Sequence, residues 1–182
     1  MTTAAQDAEL LARVVDGDHD AFNQIMRNHE DRVFSVCLRI MGDRELALDA
    51  SQETFLTTFR KAEQFKGNAA LGTWIYRIAV NTCYDQIRKQ KRRRTDPIPD
   101  HLDPADHGAE EAVDSAGLRP EIERALAAIP PEFRAAVVLS DIESLSLPDV
   151  AEILEVPVGT VKSRVFRGRR LLAAELGNQA QS

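Results

Sequence analysis

Apolar residues recur along this chain at spacings of three and four, the period of an α-helix with one buried face. Leu10, Leu11 and Val14 make the first such group, which Gly17 ends. Phe22, Ile25, Met26, Val33, Val36, Cys37 and Ile40 make a longer second group, with Asp18 or Asp20 placed to cap its start and Gly42 to break it. Asp43 then predicts the N-cap of a third helix over DRELALDASQETFLTTFRKA, where Phe55, Phe59 and Ala62 continue one face. After the loop FKGNAALG a long helix carries Leu71, Trp74, Ile75, Ile78, Ala79 and Cys83 before it turns basic. Strand-type alternation is absent, so the expected fold is all-α.

The periodicity fails from residue 95 to 117. This stretch holds Pro97, Pro99 and Pro104 and seven acids without a lysine or arginine, a composition that buries too little apolar surface to offset the entropy of ordering. It reads as an acidic flexible linker between two small helical domains, residues 1–94 and 118–182. Four more helices are legible after it. One spans Leu118 to Ile129, with Pro120 near its start. Pro130 and Pro131 end that helix and open a second, PEFRAAVVLSDI. Ser146 and Asp149 form the S-x-x-D of a capping box for LPDVAEILE, and a connector Val156-Pro157-Val158-Gly159 precedes a last helix from about Thr160 to Leu176.

Charge changes the picture more than composition does. The formal net charge is -6, yet DQIRKQKRRR, residues 85–94, has six basic residues against one acid. VGTVKSRVFRGRR, residues 158–170, has five cations and no carboxylate. Two cationic surfaces on either side of an acidic connector suit polyanionic partners. Neither a run of eighteen apolar residues nor a basic-then-apolar leader is present, so a cytoplasmic protein without membrane insertion is expected. Cys37 and Cys83 stand singly inside apolar helical patterns, which points to small buried hydrophobes rather than a disulfide framework or a metal site. No cofactor is expected.

The last two helices have the parts of a helix-turn-helix: a short helix, a tight turn and a cationic helix. At about 100° per residue, Val161, Val165, Gly168 and Leu172 fall on one narrow stripe, and Val150, Ala151, Ile153 and Leu154 offer the preceding helix's apolar surface to it. Gly168 on that stripe allows close helix approach. Ser163, Arg167 and Arg170 point the other way, flanked by Lys162 and Phe166. Arginine on such a face can take guanine O6 and N7 as a bidentate pair, and an exposed Phe can contact a thymine methyl.

The segment PPEFRAAVVLSDIESLSLPDVAEILEVPVGTVKSRVFRGRRLL resembles region 4 of the extracytoplasmic-function sigma factors, bacterial initiation factors for RNA polymerase. FKGNAALGTWIYRIAVN, residues 65–81, is similar to that family's regions 2.3 and 2.4, and DRELALDASQETFLTTFRKA to its region 2.2. The match departs at Leu48 and at Ala50-Ser51, where the family usually has an acid and two aliphatics. The resemblance implies that Asp49, Gln52 and Glu53 bind core RNA polymerase. It implies that the loop from Lys66 to Leu71 takes a flipped base of the -10 promoter element, with Lys66, Asn68 and Asn81 at the opened strand and Arg88, Lys89, Lys91 and Arg92 on its phosphates. Trp74 reads as core, whereas an aromatic or amide beside a basic groove can hold an unstacked base. For the -35 element it implies a reading helix with Thr160, Lys162, Ser163, Arg164, Phe166, Arg167 and Arg170. Promoter DNA, core polymerase and an anti-sigma factor are the implied partners of a protein that is a monomer when free.

Two other classes compete. An enzyme would need a reactive constellation, and the chain has no G-x-x-x-x-G-K-[ST], H-E-x-x-H or G-x-S-x-G. A helix-turn-helix regulator that does not itself initiate transcription remains open, although a second basic surface in the first half is unlike a dimeric reader of palindromes. The linker's acids are expected to screen the basic faces in the free protein.

Overall fold

The computed structural model describes residues 4–95 and 120–179. The linker expectation, and the screening attached to it, fall largely outside the described residues. The elements are α1 Ala4–Val15, α2 His19–Met41, α3 Arg44–Arg60, a 3-10 turn Ala62–Gln64, α4 Leu71–Thr95, α5 Pro120–Ala128, α6 Pro131–Val137, one π-helical turn Val138–Ile142, α7 Leu147–Leu154 and α8 Val158–Gln179. No strand occurs among the described residues.

Local chemistry sets most of these boundaries. Asp18, rather than Asp20, caps α2: its carboxylate accepts from the N–H groups of Asp20 at 2.9 Å and Ala21 at 3.1 Å. Gly42 ends α2 at φ +70°, a left-handed conformation that costs glycine little, and its N–H closes on Leu38 O at 2.8 Å. Asp43 caps α3 through Leu46 N at 3.0 Å. Ser146 caps α7 by accepting from Asp149 N at 3.2 Å, while its hydroxyl donates to the Asp149 carboxylate. The acid of the expected capping box therefore bonds the serine side chain.

The α2, α3 and α4 helices pack against one another, with α1 across α2, and the second domain packs α8 against α5, α6 and α7. Trp74 is buried in the first core, its ring 5.2 Å from that of Phe65. Cys37 and Cys83 are fully buried side by side; the hydrogen bond between them and their burial push the Cys37 thiol well up, away from reactive thiolate. Phe59 departs from the expected stripe. It is 39% exposed and sits at the edge of the core, edge-on to Phe22 and stacked on His19.

The two domains also meet. The α2 helix touches α5, α6 and the π turn, and α4 touches α7, so the buried apolar residues of both form one continuous cluster.

Candidate nucleic-acid interface

The α7–α8 pair is a helix-turn-helix held by its buried stripe. Val161 and Val165 are buried and Leu172 is partly so, against Val150, Ile153 and Leu154. Glu155 ends α7 at φ +53°, and Val156 N bonds back to Ala151 O at 3.1 Å. The last helix begins two residues earlier than its sequence suggests. Pro157 O accepts from Thr160 N at 2.9 Å and Val161 N at 3.1 Å, so Val158 and Gly159 already lie in its first turn. Proline cannot donate, but its carbonyl is well placed to open a helix.

The outward face of α8 is exposed at Lys162, Ser163, Phe166, Arg167 and Arg170, while Thr160 and Arg164 are half-buried. Phe166 is 63% exposed, with the Arg170 guanidinium 5.9 Å from its ring centre, so cation and ring present one joint surface. Arg169 faces elsewhere. Its guanidinium donates two hydrogen bonds to the Asp141 carboxylate, at 2.8 and 2.7 Å, and holds that carboxyl below the usual range. That pair ties α8 to the π turn, a role the sequence does not reveal.

In the first domain Asp49, Gln52 and Glu53 form an exposed row on α3. Ala50 and Ser51 between them are buried, so the departure from two aliphatics leaves the row's footing in the core. Leu48 is 41% exposed beside it. Glu53 accepts from Arg60 at 3.5 Å and from the Thr57 hydroxyl at 3.3 Å.

A groove of about 920 Å³ runs between α3 and α4. It brings Asp49, Gln52 and Glu53 together with Asn81 and Lys89, two of the residues expected at the -10 strand. Lys66 and Asn68 lie apart, exposed on the loop that turns at Gly67, φ +69°. Arg88, Lys91 and Arg92 are exposed along the end of α4, Arg88 paired with Asp85. Tyr76 is not available to stack on a base: it is buried, and its hydroxyl donates to Glu143 at 3.4 Å. Arg77, half-buried in the groove wall, was missed by sequence reasoning. Its signal is the four-residue spacing to Asn81, which puts both on one helix face.

Comparison with known proteins gives a consistent answer. Residues 25–93 match the family described as Sigma-70 region 2, and residues 119–172 the family described as Sigma-70, region 4. The chain is 41% identical over 171 residues to the ECF RNA polymerase sigma factor SigM of Mycobacterium tuberculosis, covering 94% of this chain and 85% of the relative. It is 34% identical over 182 residues to the RNA polymerase sigma-H factor of Pseudomonas aeruginosa, covering 94% of each. Among solved structures it resembles the sigma factor RpoE of Bartonella quintana in complex with the anti-sigma factor NepR, with TM-score 0.68, 25% identity and 86% of this chain against 96% of that one. CnrH, solved in complex with the cytosolic domain of CnrY, shares the fold at TM-score 0.67, 22% identity and coverage of 95% and 98%.

Proposed function

We propose, on the premise that this chain belongs to the extracytoplasmic-function sigma factors of RNA polymerase, a division of labour between its two domains. The protein is a transcription initiation factor and not an enzyme; it directs initiation at promoters. Our reading gives α8 the -35 element: Ser163, Phe166, Arg167 and Arg170 face base edges in the major groove, and Thr160, Lys162 and Arg164 fix the helix on phosphates. The first domain takes the -10 element. Lys66 and Asn68 on the loop and Asn81 on α4 hold the opened strand, while Arg88, Lys89, Lys91 and Arg92 follow its backbone. Extruding a base costs a few kcal/mol of stacking and pairing, which those contacts must offset. Asp49, Gln52 and Glu53 dock on core polymerase.

The observation that carries this reading is the outward face of α8. Lys162, Arg167 and Arg170 form no ion pair among the described residues, whereas Arg169, facing away, is neutralised by Asp141. Cations left unpaired on one face are what release counterions from DNA. The similar sigma factor solved with an anti-sigma partner supports a protein inhibitor of that class for this chain as well. Among the described residues no helix is long and apolar enough to cross a membrane. The reading places a monomer in the cytoplasm, where polymerase works.

Run-off transcription tests it. Core polymerase plus this protein should start transcripts at promoters that core alone does not use, and Arg167→Ala should weaken them. Specific DNA binding with no added initiation at any promoter would make it a helix-turn-helix regulator instead.

A further inference from the structure

Arg169 differs from the other cations of α8 in its partner more than in its place on the helix. At 3.6 residues per turn it lies about 20° around the axis from Lys162 and about 60° from Phe166. The three share one flank of α8, beside the outward row of Ser163, Arg167 and Arg170. Its side chain is 63% exposed, open enough to reach a phosphate on that flank. The guanidinium turns instead towards the body of its own domain, where the Asp141 carboxylate accepts from Nε at 2.8 Å and from Nη2 at 2.7 Å. A guanidinium fork laid on a carboxylate is the strong form of an exposed ion pair, and it fixes direction as well as distance.

Asp141 is the fixed member of this pair. It lies in the π turn between α6 and α7, which is closed by Glu143 N on Val138 O at 2.9 Å and Leu145 N on Leu139 O at 3.1 Å. Val138 and Leu139 are fully buried, so the turn is anchored in the core. Ser140 Oγ donates to Asp141 Oδ1 at 2.9 Å and steadies the carboxylate, whose side chain is 29% exposed. One residue before Arg169, Gly168 backs onto Val137 and Phe133 of α6 with no room for a β-carbon. That contact fixes how far α8 stands from the domain. A helix seated on a glycine can still roll about its axis, and the Asp141–Arg169 strut, one residue on, resists the roll.

We propose that Asp141 is a positioning residue for promoter recognition: it holds Arg169 off the DNA and so sets the roll at which Arg167 and Arg170 meet the base edges. The proposal rests on the assignment of α8 to the -35 element. Released from Asp141, Arg169 joins Lys162 on the phosphates along their shared flank. On unrelated sequence nothing opposes that contact, which displaces one more counterion. At a matched element the same contact rolls α8 towards the flank and draws Arg167 and Arg170 away from their bases, where bidentate pairing demands a fixed geometry. A phosphate contact carries no sequence information. By withholding it, Asp141 lowers affinity for any DNA and raises discrimination between sequences.

The test uses the full chain bound to core polymerase and two labelled duplexes: a promoter taken from the run-off experiment, and the same promoter with its -35 element scrambled. Asp141→Asn should raise affinity for the scrambled duplex about eightfold at about 0.1 M salt and steepen its salt slope by about one. Affinity for the intact promoter should change less, so preference for it falls several-fold. Asp141→Ser should do the same and carries the test should Asp141→Asn unfold. Asp141→Glu, which keeps a carboxylate, should keep most of the preference. Adding Arg169→Gln to Asp141→Asn should return the slope to its wild-type value. Loss of affinity for both duplexes with an unchanged slope would mean that the pair only braces the fold, and would overturn the proposal. A slope still steepened in the double variant would overturn it too, because the new contact would not be Arg169. Wild type indifferent to the scrambling would overturn the assignment of α8 and the proposal with it. Wild type that prefers the intact element, beside an unchanged Asp141→Asn, would overturn the proposal alone.

Discussion

Gly168 of α8 lies so close to Val137 of α6 that a β-carbon on the glycine would stand 2.6 Å from Val137 Cγ2 and 3.0 Å from Phe133 O. The helix carrying the candidate base readers is thus seated through a position without a side chain. Gly168→Ala would gain about 1 kcal/mol of helix propensity. Against that stands an overpacking cost of about 1–3 kcal/mol. One of the two contacts is backbone and cannot rotate away, so the cost prevails. The expected net loss is about 1 kcal/mol, lowering the melting temperature of a domain this small by about 4–8 °C. Differential scanning calorimetry checks it, and Gly168→Val should lose more. An unchanged or raised melting temperature would mean that α8 slides to relieve the contact.

A second prediction concerns Asp43. Its carboxylate accepts from Leu46 N at 3.0 Å at the start of the helix that bears the proposed polymerase-docking row. Asp43→Ala should cost about 1 kcal/mol. Asp43→Ser should recover most of that, because a hydroxyl accepts the same bond. Urea unfolding of the three proteins orders them, and a variant as stable as wild type would remove the cap from the account.

Much of this fold can be read from residue order, because caps and periodicity are local. The Asp18, Asp43 and Ser146 caps and the Val161–Val165–Gly168 stripe each lie within a few residues of the chain. What periodicity does not encode is which element covers a given face. Glu143 and Arg39 are separated by 104 residues and their pairing leaves no trace in spacing. Arg169 is one of the five cations of residues 158–170, and the bond to Asp141, 28 residues away, that sets it apart from the outward face leaves no trace in spacing. Tyr76 is an aromatic on the helix that turns basic, a residue type able to hold an unstacked base, and its burial against the second domain, which removes it, leaves no mark in the sequence. At the start of α8, Pro157 signals a turn by its missing donor, while its carbonyl opens the helix two residues before Thr160.

Acid should loosen the first domain through His29. Its ring lies near Asp7 of α1, 3.7 Å between Nε2 and Oδ2, beyond a hydrogen bond, and beneath Gly72 at the start of α4. Burial pushes its pKa below the ordinary 6.5, outweighing the attraction of Asp7, and Arg32 on its own helix pushes the same way. A group whose pKa falls on folding binds its proton more readily when unfolded, so its contribution is complete above about 6.5. It is lost as pH drops through the depressed folded value. Urea midpoints at pH 7.5 and 5.5 should differ more for wild type than for His29→Gln. Equal differences would show that His29 titrates as it does in the unfolded chain.

The surface row on α3 invites a binding experiment. Glu53 is exposed and, among the described residues, pairs with Arg60 at 3.5 Å and Thr57 at 3.3 Å, so reversing its charge disturbs little of the fold. Glu53→Lys and Gln52→Ala should each weaken binding to core polymerase roughly tenfold, a change of about 1.4 kcal/mol. Melting temperature should stay within about 1 °C or so of wild type, since exposed pairs contribute little. Competition for core polymerase against labelled wild type measures the affinity. Full affinity in both variants would move the docking surface off α3.

Base reading and phosphate contact on α8 separate by their response to sequence and salt. If Arg167 reads a guanine, Arg167→Ala should cost about 1–3 kcal/mol at one base pair and relax preference there, leaving other positions of the -35 element as they were. Lys162→Ala should weaken all sequences alike and reduce the salt slope of binding by about one. Arg169→Ala, which removes the bond to Asp141, should do neither directly, and should instead lower the stability of the second domain. These titrations belong in the polymerase-bound complex, on a panel of single-base promoter variants. A uniform loss for Arg167→Ala would assign that arginine to phosphate and leave base selection to Arg170 and Phe166, whose stacked pair is the other exposed feature of the same face.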